Sequence, residues 1–107
     1  MTPELKERID DLVQNNKILV FMKGSKLMPQ CGFSNTAVQI LNSLGTPYET
    51  VDVLSDPDIR QGIKEYSNWP TIPQIYINGE FVGGSDVLIE LYQQGELQQL
   101  VEVALAS

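Results

Sequence analysis

The dipeptide Asn78-Gly79 constrains the fold more than any other feature of this sequence. It separates two apolar segments, Gln74-Ile75-Tyr76-Ile77 and residues 80–82. Asn-Gly is the pair that a two-residue hairpin turn prefers, because both central positions of the turn take positive φ angles. The two segments are therefore predicted to be antiparallel strands joined by a tight turn.

A strand, a helix and a second strand are predicted before this hairpin. Residues 17–22 form a short continuous apolar run, which is typical of a buried strand, and residues 48–53 alternate as a strand does. The helix between them follows Cys31 and ends at Gly45. Its side chains expected to face the core are Phe33, Ala37, Val38, Leu41 and Leu44. This succession favours a right-handed parallel crossover.

Three more helices and a last helical segment complete the predicted order. One begins after Thr2 and one after Asp56, each with a proline in its first turn, and a third is capped by Ser85 or Asp86. Gly95 then separates a last amphipathic segment. The order α-β-α-β-α-β-β-α-α predicts an α/β fold of the thioredoxin-like type, a mixed four-stranded sheet flanked by helices. We expect residues 1–107 to form one domain.

The charge and composition exclude several classes of function. A formal charge of −7, from 7 basic and 14 acidic residues, argues against binding to nucleic acid or to an anionic membrane. No apolar run approaches the ~20 residues that cross a bilayer. Histidine is absent, so imidazole catalysis and imidazole metal ligation are excluded. A single cysteine is typical of a reducing compartment, which predicts the cytoplasm, or a plastid stroma or mitochondrial matrix after removal of a transit peptide.

Cys31 is that single cysteine, and it stands in Cys31-Gly32-Phe33-Ser34. A Cys-x-x-Cys pair closes a disulfide within its own site, but the fourth position here is Ser34, whose hydroxyl forms none. Any redox or metal chemistry at Cys31 must therefore recruit a second sulfur from outside the chain. A lone cysteine is more often a small buried side chain, but a position at a helix N-terminus favours a reactive thiolate. Lys23 would add a positive charge there, although taken alone it is typical of a solvated surface lysine.

Two other segments have both a binding and a purely structural interpretation. A cis bond before Pro73 would expose the Ile72 backbone to an extended peptide, whereas a plain strand start would tolerate the same proline. Gly83-Gly84-Ser85-Asp86 allows close backbone approach beside a helix N-terminus that favours a carboxylate, and Asp86 would meet an ammonium group. A glycine-rich turn with an N-cap explains that segment equally well.

Together these segments resemble the monothiol glutaredoxins of the CGFS type. The resemblance extends from about Glu4 to Ala104, and its signatures are Met22-Lys23-Gly24, Cys31-Gly32-Phe33-Ser34, Asn68-Trp69-Pro70-Thr71-Ile72-Pro73-Gln74 and Val82-Gly83-Gly84-Ser85-Asp86. Lys26 is a departure, because many members have proline there, and it predicts a looser and more basic loop. Ser85 is another, because some members carry a second cysteine at that position.

The resemblance implies a glutathione site. Its residues are Lys23, Arg60, Ile72, Pro73, Gly84, Ser85 and Asp86. Lys23 and Arg60, the latter by default a surface residue, would meet the glycyl carboxylate. The Ile72 backbone would pair with the cysteinyl part, and the segment from Gly84 to Asp86 would hold the γ-glutamyl end. Two cations at one end and a carboxylate at the other suit a tripeptide with two carboxylates and one ammonium group.

The resemblance also implies a labile [2Fe–2S] cluster bridged between two subunits. Such a cluster needs about four sulfur ligands, which Cys31 from each subunit and two glutathiones would supply. The implied roles are transfer of clusters to apo iron–sulfur proteins, or iron and redox sensing, by a homodimer that becomes monomeric without metal. A BolA-like protein would replace one subunit. The alternatives are a glutathione-dependent oxidoreductase that reduces mixed disulfides through Cys31, and a metal-free adaptor.

Overall fold

Four strands form one mixed sheet in the computed structural model, which describes residues 1–107. They are β1 (Ile18–Met22), β2 (Glu49–Asp52), β3 (Gln74–Ile77) and β4 (Glu80–Gly83). Their spatial order is β2-β1-β3-β4. β1 and β2 are parallel, and β3 is antiparallel to both β1 and β4. Both residues of the hairpin turn have positive φ, 54° at Asn78 and 80° at Gly79. The predicted crossover and hairpin are confirmed, and with them the mixed α/β sheet.

Five helices flank the sheet, in the predicted order. They are α1 (Pro3–Asn15), α2 (Gly32–Ser43), α3 (Pro57–Ser67), α4 (Ser85–Gln93) and α5 (Glu96–Ala106). The first cap is confirmed, since Thr2 Oγ1 accepts the Leu5 N–H at 3.1 Å. The second is confirmed too, since Asp56 Oδ1 accepts the Ile59 N–H at 3.2 Å. None of the five is long and apolar enough to cross a membrane.

The predicted cap of α4 is wrong. Gly84 is the N-cap, Ser85 is already helical, and no side chain caps the first turn. The helix begins one residue earlier than a Ser85 cap and two residues earlier than an Asp86 cap would require, because Gly84 takes the extended cap conformation itself. The backbone N–H groups at the start of α4 are therefore left without a side-chain acceptor.

The sheet carries one apolar layer on each face. α1 and α3 cover one face, where the buried side chains are Ile9, Val13, Leu19, Phe21, Val53, Ile59, Ile63, Ile72 and Tyr76. α2, α4 and α5 cover the other face, where the buried side chains are Ile18, Val20, Met22, Ala37, Val38, Leu41, Tyr48, Ile75, Ile77, Leu88, Leu97, Val101 and Ala104. Helices on both faces were predicted, and this arrangement places the starts of α2 and α4 at the same end of the sheet.

Phe33 does not face the core as predicted. Its side chain is 64% exposed, whereas Ser34 is fully buried. The buried positions of α2 are Ser34, Ala37, Val38 and Leu41, a helical i, i+3, i+4, i+7 series that begins at Ser34. Phe33 lies beside this series in the first turn and points outward, and Leu44 is only half-buried.

Candidate functional site

A cleft of about 510 Å³ lies where α2 and α4 begin, and Cys31 lies in its wall. Its volume is within the range of about 300–1,000 Å³ typical of small-molecule sites. The residues that line it are Lys23, Cys31, Phe33, Lys64, Trp69, Pro70, Thr71, Ile72, Pro73, Gly84, Ser85, Asp86 and Val87. The fold thus brings together every residue of the predicted glutathione site except Arg60, although these residues come from three separate parts of the chain.

Cys31 is the N-cap of α2 and is half-buried, with no disulfide partner. Partial burial raises the pKa of its thiol, but the nearby backbone N–H groups of Ser34 and Phe33 at the start of α2 lower it. The Ser34 hydroxyl and the charge of Lys23 lower it further, and the net pKa lies below the ordinary value of 9.0. The helix N-terminus and Lys23 therefore favour the thiolate, in the direction expected from the sequence.

Ser34 has a structural role that its place in the motif did not reveal. Its Oγ accepts the backbone N–H of Lys23 at 3.1 Å, and its hydroxyl is one of the groups that lower the pKa of the Cys31 thiol. One buried hydroxyl thus joins the end of β1 to the start of α2 and supports the thiolate. Sequence reasoning considered Ser34 only as the absence of a second sulfur.

The loop between β1 and Cys31 is held in place rather than loose. Gly24 has φ +90°, and its N–H donates to Asp52 Oδ1 at 2.9 Å. A Cβ at Gly24 would lie 2.5 Å from the Met28 carbonyl oxygen. Lys26 Nζ donates to the Tyr48 carbonyl at 2.6 Å and does not line the cleft. The loop carries the extra basic residue as expected, but the expected looser loop is not observed, because Lys26 bonds to the scaffold and directs its charge there rather than into the cleft.

The opposite wall presents free backbone at Ile72. The Ile72–Pro73 bond is cis, the conformation that the binding interpretation of this segment requires, and neither the N–H nor the C=O of Ile72 forms a hydrogen bond within the chain. The fully buried Gln74 fixes this wall, because its Nε2 donates to the Trp69 carbonyl at 3.1 Å and to the Thr71 carbonyl at 3.3 Å. An extended peptide in the cleft would find an unpaired donor and acceptor there.

Two lysines supply the positive charge of the cleft, and one of them was not predicted. Lys23 and Lys64 both line the cleft, and neither forms an ion pair. Arg60 lies one turn before Lys64 on α3 and is not among the lining residues. Residues four apart lie on one face of a helix. This spacing from Arg60 was the signal in the sequence that could have identified Lys64 as a second candidate.

The start of α4 supplies complementary groups at another part of the cleft. Leu88 donates the first intrahelical bond, to the Gly84 carbonyl at 3.1 Å. The N–H groups of Ser85, Asp86 and Val87 consequently have no helical acceptor. The exposed carboxylate of Asp86 forms no ion pair. A carboxylate and an ammonium group of one ligand would both find partners here.

No group of three or more His, Cys, Asp or Glu side chains is arranged to hold a metal ion. Cys31 is the only thiol of the chain. Any metal cluster bound here would need ligands from outside this chain.

Comparison with known proteins identifies the family of the chain. The glutaredoxin family model matches residues 18–82. A monothiol glutaredoxin of Synechocystis sp. is 76% identical over 107 residues, which is 100% of both chains. The chloroplastic monothiol glutaredoxin-S14 of Arabidopsis thaliana is 53% identical over 107 residues, which is 100% of this chain and 62% of that protein.

The fold agrees as well. The solution structure of reduced poplar apo GrxS14 superposes with a TM-score of 0.86 at 56% identity, covering 99% of this chain and 97% of that one. The chain therefore belongs to the glutaredoxin family and, over its whole length, to the monothiol glutaredoxins.

Proposed function

We propose that the cleft binds glutathione with the glutathione sulfur beside Cys31. The support is that the charged groups and the free backbone groups of the cleft complement those of glutathione. Lys23 and Lys64 suit the glycyl carboxylate, with Arg60 one turn away on the same helix. The free backbone of Ile72 suits the cysteinyl part, and the open N–H groups of α4 with Asp86 suit the γ-glutamyl carboxylate and ammonium group.

We further propose that this site carries a labile [2Fe–2S] cluster between two copies of the chain. A cluster takes about four sulfur ligands. Cys31 supplies one, and a glutathione in the cleft supplies a second in the same place. Two copies with two glutathiones complete the set. The donor chemistry fits, since Cys31 is half-exposed and its pKa is already lowered, and a metal ligand must be the thiolate.

A single observation carries this proposal. Cys31 is a thiolate-prone sulfur in a peptide-sized cleft of a chain that has no second thiol. Whatever chemistry it performs must use sulfur supplied by a ligand or a partner. Because the cluster is held by ligands from separate molecules, it would be released easily, which suits transfer to apo iron–sulfur proteins or sensing of iron.

Anaerobic reconstitution with iron and sulfide, with and without glutathione, tests the proposal. We expect a visible [2Fe–2S] spectrum and a dimer only when glutathione is present, and a monomer after chelation. The charge of −7 on each chain opposes association without the cluster. A spectrum that forms equally well without glutathione, or a dimer that survives chelation, would contradict the proposed ligation.

Matched variants separate ligand binding from general effects. Cys31→Ser should lose the spectrum, since no other residue supplies a thiolate. Lys64→Met should weaken glutathione binding measured by calorimetry. Lys6→Met is the control, because Lys6 lies on α1, where it pairs with Asp10 at 3.0 Å outside the cleft.

The lowered pKa of Cys31 supports a second candidate, a glutathione-dependent oxidoreductase. The Cys31 thiolate would attack the glutathione sulfur of a mixed disulfide, forming a Cys31–glutathione disulfide and releasing the substrate thiolate. A second glutathione thiolate would then attack that disulfide, regenerating Cys31 and leaving glutathione disulfide. Turnover of a glutathionylated peptide by protein that forms no cluster would make this the main activity.

The proposal extends to partners and place of action. We propose that residues 1–107 act as one domain, that a BolA-like protein can take the place of one subunit, and that apo iron–sulfur proteins are recipients. A free thiolate requires a reducing compartment. The cyanobacterial and chloroplastic relatives favour the cytoplasm or a plastid stroma.

A further inference from the structure

The loop that leads into Cys31 is fastened to β2 at two points. At its start the Gly24 N–H donates to Asp52 Oδ1 at 2.9 Å, at the end of β2. Further along, Lys26 Nζ donates to the backbone carbonyl of Tyr48 at 2.6 Å, just before β2 begins. The loop therefore lies along the edge strand of the sheet, and Lys26 provides the side-chain contact that spans 22 positions of sequence.

Lys26 makes two favourable contacts with one residue. Besides its hydrogen bond to the carbonyl, its Nζ lies 4.1 Å from the centroid of the Tyr48 ring. A charge-assisted hydrogen bond and a cation–π contact both gain strength when they are partly removed from water, as they are at the half-buried Lys26. Lys26 forms no ion pair with a carboxylate that would compete for the ammonium group.

The anchor point itself is rigid. Tyr48 is 6% exposed and belongs to the apolar layer under α2. Its hydroxyl lies 2.7 Å from Asn42 Oδ1 on α2. Lys26 thus joins the loop to a residue that is itself fixed to the helix that Cys31 begins.

Beyond Lys26 the loop depends mostly on its own short turn. Ser25 and Met28 exchange backbone hydrogen bonds at 3.2 and 3.1 Å. Leu27, at 92% exposure, and Met28, at 68%, pack on little else. The Gln30 N–H then returns to the Lys23 carbonyl at 2.9 Å. Without Lys26, nothing in the sequence between Ser25 and Met28 ties this turn to the sheet.

Cys31 follows this loop directly in the chain, and its side chain is half-buried. We propose that Lys26 is a positioning residue that keeps the loop fastened to β2, and that release of the loop would expose the adjoining Cys31 thiol further. It acts through the loop and does not touch a ligand in the cleft. The inference does not depend on which reaction Cys31 supports, because it concerns access to the sulfur by any reagent. It therefore stands or falls separately from glutathione and cluster binding.

Two measurements on Lys26→Met test the proposal, since methionine keeps the apolar stem and removes the charge. We expect the amides of Ser25, Met28 and Gln30 to exchange hydrogen about tenfold faster, as loss of a charge-assisted bond implies. We also expect faster alkylation of Cys31 by iodoacetamide. The rate is measured across pH, so that its plateau, where the thiolate is fully formed, reports access rather than pKa.

Three control variants give the test its specificity. Lys26→Arg should restore closed-loop behaviour, because guanidinium can donate to the carbonyl and lie over the ring. Tyr48→Phe should leave the loop closed, since the ring and carbonyl remain. Lys6→Met should change neither measurement. The proposal is overturned if Lys26→Met leaves either the exchange rates of the loop amides or the plateau rate of alkylation at the wild-type value. It is also overturned if Lys26→Arg shows the same faster rates as Lys26→Met.

Discussion

Replacing Ser34 by alanine removes one hydroxyl that two neighbours use. Ser34 is fully buried, and its Oγ accepts the Lys23 N–H at 3.1 Å. Alanine fits the same space, so no cavity forms, but the Lys23 N–H loses its partner. An unsatisfied buried donor costs about 1–3 kcal/mol of stability. For a domain of about 100 residues each kcal/mol lowers Tm by roughly 4 °C, so this chain should lose about 4–12 °C.

The same change acts on Cys31. The Ser34 hydroxyl is one of the groups that lower the pKa of the thiol, so its loss raises that pKa toward the ordinary value. We expect the midpoint of the alkylation rate against pH to move to higher pH. The plateau rate should stay the same, because the loop and the backbone donors of α2 remain.

Thermal unfolding followed by circular dichroism, and alkylation by iodoacetamide across pH, measure the two effects. Ser43→Ala is the matched control, since it deletes an exposed hydroxyl bonded to the Ile40 carbonyl at the far end of α2. That variant should stay within about 0.5 kcal/mol of the wild type. A Ser34→Ala protein with unchanged Tm and unchanged midpoint would refute the role assigned to this hydroxyl.

Three other outcomes are expected. Gly24→Ala should lower the free energy of unfolding, measured in urea, by about 2 kcal/mol or more, because φ is +90° and the new Cβ would clash with backbone atoms. Gly84→Ala should lower it much less, because a Cβ there would have ordinary contacts of 3.4–3.5 Å. Burial and the Asp10 hydrogen bond raise the pKa of Tyr66 from 10.0 to about 12. The resulting stabilisation is complete below pH 10.0 and is lost as pH rises through about 12; urea unfolding of Tyr66→Phe should lack this loss. For Cys31 the sign is opposite, because its folded pKa is depressed: relative to Cys31→Ser, stability should rise with pH up to about 9.0 and then level off. A flat difference between those two proteins would contradict a depressed thiol pKa.

Features that depend on near neighbours were predictable. The Asn78-Gly79 turn, the Thr2 and Asp56 caps and the start of α2 at Cys31 each rest on contacts within about four residues. Such contacts depend on the chemistry of side chains that are close together in the sequence, so the sequence is enough to predict them. The N-cap of α4 was not predicted, because Gly84 has no side chain that could identify it as a cap.

Features that depend on distant packing were predicted poorly. Helical spacing placed Phe33 inward, but the layer under α2 begins at Ser34. Lys26 was expected to loosen its loop, but its ammonium group donates a hydrogen bond to the carbonyl of Tyr48, 22 residues further along the chain. Lys64 was overlooked although it lies four residues after Arg60, because which residues line the cleft depends on how the helices pack on the sheet.

The sequence by itself determined the types and order of the helices and strands, the lone thiol at a helix N-terminus and the family to which the chain belongs. The strand order β2-β1-β3-β4, the assembly of the cleft and the roles of Ser34, Lys26 and Lys64 were decided only by the tertiary structure. The physical reason is the separation in sequence between the residues that interact. Turns, caps and helix dipoles act over a few residues, whereas a cleft formed by four separate segments exists only after two apolar layers have packed on the sheet.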